Sequence, residues 1–188
     1  LQRAWHPIDQ SSASSFFDQR EKAKGLARMI AVNRDELELF CSATAIDLAL
    51  DYASARADAF DPHSEPSRLI LGHGDPHPGN LLAVPGADPP TFKFVDPDGL
   101  WIERAYDLGV MMREWSVDEL GGAPVETAAA WCVMLGELVG EDPGAIWQWA
   151  YIERMTTALV LEQLGMPEER ARLLEVTKAW CEVPDPFA

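Results

Sequence analysis

His73-Gly74-Asp75-Pro76-His77-Pro78-Gly79-Asn80 is the stretch that decides how the rest of the chain is read. It sets an Asp and an Asn in the spacing Asp-x-x-x-x-Asn, with Gly74 and Gly79 giving the backbone freedom to bend. Before it, Arg68-Leu69-Ile70-Leu71-Gly72 reads as a short buried strand. After it, Asn80-Leu81-Leu82-Ala83-Val84 and Thr91-Phe92-Lys93-Phe94-Val95 read as two more, joined by a turn rich in Pro and Gly. The last of these runs into Asp96-Pro97-Asp98-Gly99. The polar residues therefore fall at strand ends, where a rigid scaffold holds loops that carry chemistry.

Those residue types suit phosphoryl transfer, which asks little of a protein. A hydroxyl must be aimed in line with the transferring phosphate, and the triphosphate charge must be neutralised, mainly by metal ions. Asp75 suits the first task. Asn80 and Asp96 suit the second, because Mg²⁺ prefers oxygen ligands. The spacing alone has little weight, since Asp and Asn also serve ordinary turns. The full string, with a strand on each side and Asp96 closing a third, is far more specific.

Outward from this centre the chain is helical. Toward the N-terminus, Phe16, Phe17, Leu26, Met29 and Ile30 predict a helix from about Ser15 to Ala31. Asn33 with Glu36 has the form of a capping box. It predicts one longer helix carrying Leu37, Phe40, Ala43, Ile46, Leu50 and Ala53 on one side and ending before Asp61-Pro62. Ser11 to Ser15 could end a linker or cap a helix. Toward the C-terminus, helices are predicted at about Arg104 to Ser116, Pro124 to Val139, Pro143 to Leu164 and Pro167 to Cys181. The expected fold class is α+β, mostly helical, with a small β unit carrying the loop.

Composition narrows the function. A chain of 188 residues can bury a full core as one domain. A net charge of −16, with 15 Lys and Arg in all, argues against nucleic acid as a partner. Such charge serves solubility, and it also suits a cleft that attracts a cationic substrate. Cys41, Cys132 and Cys181 lie far apart without zinc-type spacing, as expected of free thiols in a cytoplasmic protein. The longest strongly apolar run, Ala128 to Leu135, is too short to span a bilayer, and no signal peptide is apparent, so no membrane partner is expected.

His73 to Asn80 resembles the HGDxHxxN loop of the aminoglycoside phosphotransferase family, which has a protein-kinase-like fold. Glu103-Arg104-Ala105-Tyr106-Asp107-Leu108-Gly109 looks like that family's later Y-D-[LI]-[AG] segment. The Asp96-Pro97 pair resembles the streptomycin and hydroxyurea kinase branch. The resemblance implies the C-terminal lobe of a kinase that uses ATP and Mg²⁺, with a small molecule as acceptor. Asp75 would be the catalytic Asp, and Asn80 and Asp96 the metal ligands. His77 would touch the transferring phosphate or stabilise the loop. His73 would buttress the loop, and Asp107 would hydrogen-bond it from a helix start. Asp98 would be a turn residue or a carboxylate near the metal. Streptomycin is the first acceptor expected; choline, homoserine, fructosamine and hydroxyurea kinases look similar at these motifs. For an acceptor amine, Glu114, Asp118, Glu119, Glu153 and Glu162 are at hand, with none singled out, and Trp115, Trp131, Trp147 and Trp149 read as core or groove walls.

The chain departs from the family at the nucleotide. It has no Gly-rich phosphate loop, and Lys22, Lys24, Lys93 and Lys178 all lack the context of a phosphate-pairing Lys. It also opens at Leu1 without an initiator Met. The expectation is a lobe without its N-terminal nucleotide-binding partner, inactive alone. The rival expectation is a kinase-like module that binds a metabolite without chemistry. A metal-dependent hydrolase using Asp75, Asp96 and His77 is the third; His6 and His63 lie outside the motif.

Overall fold

A computed structural model describes residues 1–63 and 68–188, with the backbone alone at Gln10. Its first half runs α1 (Gln10–Ala13), β1 (Phe17–Asp18), α2 (Gln19–Val32), α3 (Arg34–Leu37), α4 (Ala43–Asp58) and β2 (Leu69–Gly72). It continues through a 3₁₀ turn (Pro78–Asn80) into β3 (Leu81–Ala83), β4 (Phe92–Phe94) and β5 (Leu100–Glu103). Four helices follow: α5 (Arg104–Met112), α6 (Pro124–Val139), α7 (Pro143–Gln163) and α8 (Pro167–Cys181). The fold is α+β and mostly helical.

Helix α7 is the centre of the core. Ile146, Trp149, Ala150, Tyr151, Ile152 and Met155 are all fully buried in it, and α4, α5, α6 and α8 pack around it. A helix apolar on nearly every side belongs inside a domain. Trp147 of α7 stacks on Trp180 of α8 with ring centroids 4.0 Å apart. Gly109 lets α5 come close: a Cβ there would stand 2.7 Å from the Ala150 amide nitrogen and 2.7 Å from Trp149 Cβ. That close approach brings the start of α5, and with it Asp107, under the loop at residues 73–80.

The strands form two small sheets. One has the order β1-β5-β2, with β1 parallel and β2 antiparallel to β5. The other is the antiparallel pair β3-β4, with Leu81 opposite Phe94 and Ala83 opposite Phe92. The loop of residues 73–80 thus leaves the first sheet and enters the second.

Several expected boundaries are corrected. The first predicted helix starts at Gln19 rather than Ser15. The capping box lies at Asp18 and Glu21, and Phe17–Asp18 pairs with β5 instead. Asn33 makes no cap bond; its Nδ2 donates to Met29 O at 2.8 Å and closes α2. The single long helix expected from Asn33 is two. Ser42 caps the second, its side chain accepting from the Ala45 amide at 3.2 Å. Apolar spacing concealed the break because both pieces turn the same face to the core; Leu37 and Ile46 are each fully buried. The strand β5 was not expected, and it is the partner of β2. Its four residues are all buried, so it shows no alternation of apolar and polar positions. Finally, α5 stops at Met112, short of Ser116. The fully buried Arg154 donates to Met112 O at 2.7 Å and also to Trp115 O, and so draws the chain out of helical form. Among the described residues, no helix is long and apolar enough to cross a membrane.

Candidate active site

The loop begins where β2 ends. Gly74 has φ +88, and a Cβ there would meet Asp98 Cβ at 2.7 Å, so glycine lets the loop lie against the segment that follows β4. Asp107, in the first turn of α5 and fully buried, fastens the loop from beneath. Its Oδ2 accepts from the His73 amide at 2.8 Å and from Trp5 Nε1 at 2.7 Å; its Oδ1 accepts from the Gly74 amide at 2.8 Å. Burial pushes the Asp107 carboxyl above its ordinary pKa, and these three donors oppose that push.

His73 joins the loop to the second sheet. Its Nδ1 accepts from the Asp75 amide at 3.3 Å, which assigns the proton to Nε2, and Nε2 donates to Val95 O at 3.1 Å. The amide of Asn80 donates to His77 O at 2.9 Å, and the Val95 amide donates to Asn80 O at 3.0 Å. Asp96, the next residue after Val95, is thereby held beside Asn80. It is exposed and has φ +57, a left-handed conformation rare outside glycine. Backbone strain of this kind persists where the surroundings impose it, and it gathers at functional sites. Asp98 is exposed, in the segment just before Gly99.

Asp75 and Asn80 are in contact. Asn80 Nδ2 donates to Asp75 O at 2.9 Å and to Asp75 Oδ2 at 3.1 Å. The amide nitrogen is thus committed to the loop, and among the described residues no donor reaches Asn80 Oδ1. His77 lies alongside: Nδ1 accepts from the Gly79 amide at 3.3 Å, and Nε2 is 3.4 Å from Asp75 Oδ2.

Sequence reasoning missed the residue that faces Asp75 from the other side. Arg113, just past the end of α5, places Nη1 2.9 Å from Asp75 Oδ1. Behind it, Glu153 of α7 is buried, accepts from Tyr106 Oη at 2.7 Å and lies 3.7 Å from Arg113 Nη1. Burial works against the Arg113 charge, but Glu153, Asp75 and Glu114 outweigh it and raise the guanidinium pKa. The one sequence signal was a cation directly after Val110-Met111-Met112 in a chain short of cations.

The five carboxylates named from the sequence now separate. Glu153 is buried behind Arg113. Glu162 pairs with Arg170, and Glu119 accepts from the amide and hydroxyl of Ser116, each at 2.8 Å. Asp118 is exposed. Glu114, also exposed, stands 3.6 Å from His77 Nδ1 and is the one that borders the Asp75 loop. Trp147 and Trp149 are core residues, whereas Trp131 is 41% exposed and meets Trp115 edge-on.

Among the described residues, no cluster of three or more His, Cys, Asp or Glu side chains is arranged to hold a metal ion. Mg²⁺ at a nucleotide site needs no such cluster. It takes one or two protein oxygens together with phosphate oxygens and water. Asn80 Oδ1 and the Asp96 carboxylate fit that hard-oxygen chemistry. Compared with known proteins, the chain matches no family model, no curated protein and no solved structure.

Proposed function

We propose that this chain is the acceptor-side lobe, with a protein-kinase-like fold, of an ATP- and Mg²⁺-dependent small-molecule O-phosphotransferase of the aminoglycoside phosphotransferase type. The observation that carries the reading is the Asp75–Asn80 contact, with Asp96 tethered next to it through Val95. The Asp75 carboxylate is half-buried, Asn80 touches it, and Asp96 follows the Val95 amide that binds Asn80 O. In this reading Asp75 orients the acceptor hydroxyl and takes its proton as the phosphoryl group leaves ATP. Asn80 Oδ1 and Asp96 hold Mg²⁺, which when bound neutralises charge on the phosphates. His77 sits close enough to Asp75 to touch the same phosphate. Asp107 and His73 keep the loop in shape. No residue of this chain is assigned to the α- and β-phosphates. They are held by a nucleotide-covering lobe outside residues 1–188, and the chain alone turns over little ATP. The acceptor is a hydroxyl on a cationic or polyhydroxylated compound, streptomycin-like first, in keeping with the net charge of −16.

One observation favours a second reading, a kinase-like module that binds a metabolite without chemistry. Arg113 already occupies Asp75 Oδ1. The two readings part on turnover. In the full-length protein containing this segment, ADP release is measured against streptomycin, other aminoglycosides, hydroxyurea, choline, homoserine and fructosamine. The expected result is release that one acceptor class stimulates, that EDTA abolishes, and that excess Mg²⁺ restores. ATP binding with no stimulation by any acceptor would favour the silent module.

A further inference from the structure

Arg113 is built in at some cost. Its side chain is 14% exposed, and its Nε is buried without a hydrogen-bond partner. A guanidinium in that position loses hydration that a surface arginine keeps. Its surroundings are equally restrained. Tyr106 Oη donates to Glu153 Oε1, and Glu153 Oε2 faces Arg113 Nη1. Arg154, fully buried on α7, donates to the carbonyls of Met112 and Trp115, one on each side of Arg113 in sequence. Backbone and side chain of Arg113 are thus both fixed from α7.

The fixed guanidinium engages one oxygen of Asp75, and Asn80 Nδ2 engages the other. A carboxylate oxygen has two lone pairs, so Oδ1 still accepts one more hydrogen bond, whereas Oδ2 also faces His77 Nε2 at 3.4 Å. Rotation of the carboxylate is arrested while the side chain stays 30% exposed.

Resting on the phosphotransferase reading, we propose that Arg113 is the positioning residue for Asp75: it locks the carboxylate plane so that an incoming hydroxyl meets it in the in-line direction. Arg113 itself touches neither acceptor nor phosphate. Its occupation of Oδ1 is then a feature of a working site and not the mark of a silent one.

The test uses Arg113→Ala and Arg113→Lys in the full-length protein, with two readouts. The first is turnover. Misplacement of a catalytic group costs about 10²-fold, so Arg113→Ala is expected to lower kcat by about that factor, with the KM for MgATP little changed. Arg113→Lys recovers part of the loss, and guanidinium ion added to the Ala variant recovers part as well. The second readout needs no activity. The two side-chain NH₂ proton signals of Asn80 report on Asp75, because Nδ2 donates to its main-chain carbonyl and to its Oδ2, and they shift and converge as the Oδ2 bond is lost in Arg113→Ala. If Arg113→Ala does not fold, Arg113→Lys carries both readouts, with a smaller loss and partial convergence. Unchanged kcat together with unchanged Asn80 signals would overturn the proposal. A wild-type protein without turnover would instead sink the phosphotransferase reading, and the Asn80 signals alone would then decide whether Arg113 holds Asp75 in place.

Discussion

Asp75→Asn is expected to lower acceptor-dependent turnover by about 10²–10⁴-fold, the range over which a positioned acid–base group contributes, while the fold and ATP binding persist. The amide keeps the size of the carboxylate but not its chemistry. It presents one oxygen where Asp75 presents two, and it cannot accept the acceptor proton. Its NH₂ group must face either Arg113 Nη1 or Asn80 Nδ2, both donors, so one existing contact turns repulsive. Side-chain positions in the loop therefore shift. The backbone anchors at His73 and Gly74 do not involve the Asp75 side chain, and the fold remains. Steady-state ADP release and MgATP titration on the same sample check both halves. Turnover within threefold of wild type would remove Asp75 from the chemistry.

The second large effect is on stability. Asp107→Asn is expected to cost about 3 kcal/mol, in the range for charged acceptors lost and buried donors left unsatisfied. The carboxylate satisfies three N–H groups with two oxygens: Oδ2 takes Trp5 and His73, and Oδ1 takes Gly74. An asparagine with its oxygen at the first position turns its NH₂ toward the Gly74 amide. With its oxygen at the second, the NH₂ confronts two donors. Neither rotamer is satisfied, and in a fully buried place no water repairs it. A loss of this size is a large part of a domain's total stability. Urea denaturation followed by fluorescence measures it. A change under about 1 kcal/mol would mean the loop is held chiefly by its other bonds, such as that from His73 Nε2 to Val95 O.

What the sequence disclosed follows from how far apart the deciding residues stand. Helices α6 and α8 were legible to the residue because Pro124 and Pro167 open them with local signals. The run from His73 to Asn80 was legible as a loop between strands because its glycines, prolines and flanking apolar residues all lie within one short window. Long-range partners carried no such mark. Nothing near Asp75 announces Arg113, and nothing near Arg113 announces Glu153. Those pairs exist because α5 lies against α7, which depends on Gly109 having no side chain. The pairing of β1 with β5 rests on two residues of strand, too few for any alternation to show. Glu153 looked like any charged residue on a helix face until the packing put that face inside.

The left-handed backbone at Asp96 sets robustness against use. A glycine there would relax strain worth about 1 kcal/mol, and it would also delete the carboxylate proposed to hold the metal. Mutational drift judged only by folding and solubility should therefore run toward loss at this position, rewarding a sturdier protein that has stopped working. An aspartate retained at residue 96 against that current is what selection for turnover would leave behind.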